Sequence, residues 1–286
     1  MFDLLQDYSF WTVALGTFVL ALAASQIGTI SVLTRQSLIG DSLGHAAYPG
    51  IILSYMVFQS RQPLLLLIGA VASGYLSYGL VSWLCRGGRT SRVNALALVS
   101  AAFFGLGLVL KQYVQGNAAF QGAAQAGLEN YVFGQAAFMQ LDDVVLICLV
   151  ALLALFLFGW YYQSLKLYLF DRQFAKLVGI SVEKIDRMTL FLMMSLIAVG
   201  LQVVGAILMS SFLIAPAVFG LLLGKSYGQT LALAAGIAGF SALLGSYVSS
   251  VVTGLSTGPA IIVCLSLSSL VAFAYVTYIR KENAGA

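Results

Sequence analysis

Apolar runs of about twenty residues follow one another along this chain from Phe10 to Ile279, parted by short breaks that carry most of the charge. Runs of that length match the hydrocarbon core of a bilayer, which takes about 20 residues of helix to cross. They predict helices over 10–33, 39–58, 64–85, 94–114, 144–165, 188–204, 206–224, 229–251 and 259–279. The run 188–224 is read as two helices with a tight break near Gly205. If part of it is re-entrant, the count becomes eight and the amino terminus changes sides. The expected fold is all-α: one polytopic membrane domain over 1–286, with about eight or nine transmembrane helices packed as a dimer.

Two segments depart from this pattern. Residues 115–143, rich in Gly, Gln and Ala with interspersed aromatics, are expected as an extracellular loop. Residues 166–187, "KLYLFDRQFAKLVGISVEKIDR", mix both charges on the cytoplasmic side. Leu167, Phe170, Phe174, Leu177 and Val178 are spaced to give a short amphipathic helix an apolar face there. Such a face suits either the membrane interface or a protein partner.

Composition agrees with the pattern. Charged residues make up 8% of the chain, against about a quarter in a soluble domain. The net charge of +4 is explained by topology and does not call for nucleic acid. With the amino terminus outside, all of the 14 Lys and Arg except Arg61 and Lys111 fall on the cytoplasmic side. The first apolar run is read as a retained helix, because Asp3 and Asp7 precede it where a signal peptide would carry bases. Cys85, Cys148 and Cys264 are isolated and are read as packing residues. Small-xxx-small spacings such as Gly40/Gly44 and Gly220/Gly224 let helix backbones approach closely and favour self-association.

The candidate chemistry lies in "SLIGDSLGHAAYPG", residues 37–50, which holds Asp41 and the chain's one histidine, His45. An ionisable residue near the middle of a membrane helix costs about 2.5–3.5 kcal/mol on insertion scales and is a functional candidate for that reason. Four residues apart, Asp41 and His45 share one helix face and can reach one point. A carboxylate oxygen and an imidazole nitrogen make half a site for a divalent transition metal, and a two-fold dimer would supply the other half. Gly40 and Pro49-Gly50 are expected to break the helix around that site. The alternative is structural, with Asp41 as an N-cap and His45 paired to it within the bundle.

No energy source accompanies this pair. "FGLLLGKS", residues 219–226, comes nearest to a phosphate loop, but Gly220 is one residue too close to the lysine and the stretch ends an apolar helix. The chain is therefore expected to be no enzyme itself. The cytoplasmic segment 166–187 becomes the candidate docking element for an ATPase.

The signature in residues 37–50 resembles the Ser-Leu-x-Gly-Asp-x-x-x-His-x-x-x-Pro-Gly motif of the permease subunits of bacterial ABC importers for manganese, zinc and iron. The resemblance continues in "ENYVFGQAA" (129–137), "FDRQFAKLVGI" (170–180) and "VVGAILMSSFLIAPA" (203–217). It implies that Asp41 and His45 contact the metal in the translocation path of a bacterial plasma-membrane importer. It also implies that residues 170–180, with Phe170, Asp171 and the small positions Ala175 and Gly179, form a coupling helix seated in a cytoplasmic ABC ATPase. Further implied are a homodimer or paralogous permease pair, ATP bound only by the partner subunits, and an extracellular metal-binding protein that delivers the ion. The stretch "QAGLENYVFGQAA" looks most like the manganese class. Gln173 stands where many relatives carry an acid, Gly44 where serine or alanine is more usual, and Tyr48 where an aliphatic residue is more usual.

A self-sufficient metal channel or secondary carrier is the competing class. The absence of other carboxylates within the apolar runs argues against it. A permease for bulky iron chelates or cobalamin would have little use for a chelating Asp/His pair.

Overall fold

The computed structural model describes residues 8–60, 62–88, 90–117, 120, 141–252 and 255–284. Its helices are α1 (Tyr8–Leu33), α2 (Leu38–Phe58), α3 (Pro63–Arg86), α4 (Arg92–Gly116), α5 (Leu141–Trp160), α6 (Tyr162–Phe170), α7 (Arg172–Leu177), α8 (Val182–Val203), α9 (Gly205–Leu223), α10 (Tyr227–Val251) and α11 (Thr257–Ala284). Most of the expected extracellular loop, including residues 129–137, lies outside the described residues.

Among the described residues seven helices, α1, α3, α4, α5, α9, α10 and α11, are long and apolar enough to cross a membrane. The expected count of eight or nine is corrected accordingly. The two long helices that fall short are α2, diluted by Asp41, His45 and several serines and glycines, and α8, whose first turns carry Glu183, Lys184, Asp186 and Arg187. The expected helix 144–165 divides at Tyr161 into α5 and α6. The break near Gly205 is present: Gly205 has φ +80°, and α8 and α9 are separate helices.

Helix α1 forms the centre, packed by α5, α9 and α10. Its buried polar groups are satisfied within the protein, as a site shielded from water requires. The Thr17 hydroxyl donates to the Val13 carbonyl at 2.8 Å, and the Gln26 amide donates to the Leu231 carbonyl of α10 at 3.1 Å. Helix α2 packs on α3 and α4 and also touches α8 and α9.

Contrary to expectation, α2 is continuous through Gly40 and Pro49. Gly40 makes room for the Leu213 side chain of α9, whose Cδ1 would lie 2.7 Å from an added methyl. Pro49 cannot donate to the His45 carbonyl, but the Ser73 hydroxyl of α3 donates to the neighbouring Ala46 carbonyl at 2.6 Å. A side chain from the next helix thus supports the turn that proline weakens. Gly220 packs against the Thr230 carbonyl of α10, which accounts for the glycines of residues 219–226 as packing positions. Cys85, Cys148 and Cys264 are separate, partly buried free thiols.

Candidate functional site

Asp41 is the fourth residue of α2, in its first turn and not at mid-helix. Ser37 occupies the N-cap, so Asp41 is not the capping residue. A carboxylate in the first turn is favoured by the positive end of the helix dipole. His45 follows one turn later, and its Nε2 lies 3.8 Å from Asp41 Oδ1. That is too long for a hydrogen bond. Two ligands each about 2.1 Å from one ion lie about 3 to 4 Å apart, and the observed separation falls in that range.

The pair occupies the open edge of a buried helix. Gly40, Ser42, Leu43 and Gly44 are buried, whereas the Asp41 side chain is 51% exposed and that of His45 34%. The His45 ring meets the Phe104 ring of α4 edge to face, with centroids 5.0 Å apart. Beside it is a small cleft of about 10 Å³, lined by Gly44, His45, Tyr48, Ile51, Phe104, Leu201 and Ala206. That is about the space one water takes. Four helices, α2, α4, α8 and α9, thus converge beside the histidine. Among the described residues no group of three or more His, Cys, Asp or Glu side chains could hold a metal.

The sequence did not point to Phe104, which has no motif around it, or to Leu201. Tyr48 has a clear structural partner: its ring lies against Gly107 of α4, where a methyl would fall 2.4 Å from Tyr48 Cδ1. The bulky residue in place of a usual aliphatic one is matched by a glycine opposite.

The second candidate region is built by capping. Helix α7 has six residues, too few to stand without help. At its start, the Asp171 carboxylate accepts from the Gln173 and Phe174 amides, both at 2.9 Å. At its end, the Gly179 amide donates to the Lys176 carbonyl at 3.1 Å and the Ile180 amide to the Ala175 carbonyl at 2.9 Å. This is a Schellman cap, and it needs the left-handed backbone that Gly179 supplies at φ +87°. Asp171 and Gly179 are therefore the two ends of one capped turn.

The amphipathic face expected across Leu167 to Val178 is split. Leu167 of α6 packs against the core, while Phe170, Phe174, Leu177 and Val178 are exposed. The chain changes direction at Asp171, whose φ and ψ are extended, so one face cannot continue through it. Ala175 alone of α7 is buried.

The profile of the ABC 3 transport family matches residues 6–276. The chain belongs to that family. It is 37% identical to the zinc transport system membrane protein TroC of Treponema pallidum (strain Nichols), over 94% of this chain and 89% of that one. It is 32% identical to the manganese transport system membrane protein MntC of Bacillus subtilis (strain 168), over 90% of this chain and 58% of that protein. The fold matches PsaBC from Streptococcus pneumoniae, solved in complex with Fab, with a TM-score of 0.83 at 23% identity over 95% of this chain and 94% of that one. As an ABC 3 member with seven membrane-length apolar helices among the described residues, the protein is a multi-pass plasma-membrane permease subunit of an ABC transporter and no enzyme itself.

Proposed function

We propose that the chain, acting as a single permease domain, imports a divalent transition metal ion through a path lined by Asp41 and His45. The observation that carries this reading is the pair itself: two metal-competent side chains at ligand spacing, both partly exposed while Gly40, Ser42, Leu43 and Gly44 beside them are buried. A second copy or a paralogue would bring two more such ligands to a shared axis, giving two carboxylates and two imidazoles. Such a set suits tetrahedral zinc, or manganese with added water. The zinc and manganese names of the relatives support both metals.

ATP acts in separate cytoplasmic ATPase subunits. The exposed face of Phe170, Phe174, Leu177 and Val178 on the capped turn is the surface they would grip. Asp171 and Gly179 hold that turn, and Ala175 seats it on the permease. An extracellular metal-binding protein would deliver the ion. The test is reconstitution with the ATPase subunits into liposomes. Uptake of labelled zinc or manganese is expected only with ATP and both subunits, and equal uptake from liposomes lacking the ATPase would contradict the reading.

A further inference from the structure

Helix α7 meets the rest of the chain along a narrow strip centred on the buried Ala175. A single methyl in a socket lets a short helix pivot. The contact that resists pivoting is polar and lies at Asp186, the fifth residue of α8. Its Oδ1 accepts from the Tyr168 hydroxyl of α6, and its Oδ2 pairs with Nη2 of Arg172, the first residue of α7. The Arg172 guanidinium also lies 5.2 Å over the Tyr168 ring. Burial, together with the hydrogen bond to Asp186, holds the Tyr168 phenol well above its ordinary value, so it stays protonated as the donor. One carboxylate thereby ties three helices together. A half-exposed ion pair alone contributes little stability. Shared among three groups on three elements, it fixes an angle.

From this junction α8 rises beside α2. Leu190 and Met193 share with Ile39 the wall of a cavity of about 80 Å³, which is also lined by Tyr168, Arg172 and Asp186 and by Arg92 and Tyr78, joined by a 3.1 Å hydrogen bond. Higher up, Ile197 lies over Gly44, at 3.9 Å from where a methyl would sit. Leu201 lines the cleft at His45. The 15 helical steps from Asp186 to Leu201 make about 22 Å of uninterrupted helix.

We infer that Asp186 is a positioning residue that locks the docking turn to α8, and that α8 carries the displacement of that turn to the Asp41/His45 site. The inference rests on the proposed function and adds to it how the two regions communicate. A stiff helix in contact with both ends provides the physical connection such coupling needs.

The experiment counts metal ions moved per ATP hydrolysed by the full complex of permease and ATPase subunits in liposomes. Asp186→Asn keeps the shape and a hydrogen-bonding oxygen for Tyr168 but loses the ion pair. Its ratio is expected to fall about tenfold while the ATPase still co-purifies. Tyr168→Phe is expected to fall less. Asp186→Asn combined with Arg172→Gln should fall no further than the worse single variant, because both break one junction. An unchanged ratio in Asp186→Asn, or losses that multiply in the double variant, would overturn the inference. Loss of the ATPase from the Asp186→Asn complex would overturn it too, since the residue would then serve docking. A wild-type complex that moves no metal on adding ATP would remove the functional reading itself and this inference with it. A working wild type with unaltered variants removes the junction alone.

Discussion

Gly50 of α2 and Gly69 of α3 meet backbone to backbone: a methyl on Gly50 would fall 2.1 Å from the Gly69 carbonyl oxygen, and one on Gly69 would fall 2.4 Å from that of Gly50. The crossing holds α2 against α3 just above Pro49, where the Ser73 and Ser54 hydroxyls also bridge the two helices. Gly50→Ala is expected to destabilise the purified protein by about 1–3 kcal/mol, read as a lower Tm. Gly105→Ala, where nothing lies within 4 Å of the added methyl, should leave Tm unaltered. Equal Tm values for the two variants would mean that α2 and α3 do not cross at these glycines.

The capped turn makes a second prediction. Asp171→Ala removes the acceptor for two amides of α7 and is expected to cost about 1 kcal/mol of local helix stability. Gly179→Ala forces a side chain into a left-handed backbone at a cost of about 1–2 kcal/mol. Both should increase hydrogen exchange in residues 172–180 while leaving the exchange of α1 unaltered. Exchange that stays slow in the turn would show that its caps do not hold it.

Docking through the exposed face can be separated from folding. Phe174→Asp and Leu177→Asp place charge on side chains that already face solvent, 49% and 85% exposed. They are expected to abolish co-purification of the ATPase subunits with no loss of Tm. Retained co-purification in both would place the docking surface elsewhere.

Sequence periodicity located most long helices to within a few residues, because lipid demands unbroken apolar stretches of fixed length, but it missed the polar first turns of α8 and the division at Tyr161. Chemical rarity marked Asp41 and His45: a charged residue within an apolar run stands out, and a spacing of four residues already fixes a shared face. Gly205 was visible as a break, since few other residues accept a positive φ, whereas Gly179 stood out only as a small position of the resembled motif and its φ of +87° comes from the structure. Other features depended on contacts between distant residues. The continuity of α2 through Pro49 depends on Ser73, a residue of another helix. Phe104 beside His45, and Asp186 bonded to residues 14 and 18 positions away, are likewise tertiary pairings that no local pattern encodes. Leu167 parted from the exposed apolar face because the chain turns at Asp171, a change of direction that helical periodicity assumes away.

Asp41 and His45 are proposed to line the path of the metal, and that role can be measured. The direct measurement is ATP-dependent uptake of labelled zinc and manganese by Asp41→Ala and His45→Ala complexes, compared with wild type at matched permease content. Both side chains are partly exposed, so the variants should assemble normally. Uptake is expected to fall at least about tenfold in each variant, as when a metal site is weakened. Wild-type uptake in both would contradict that role and would place the path away from α2.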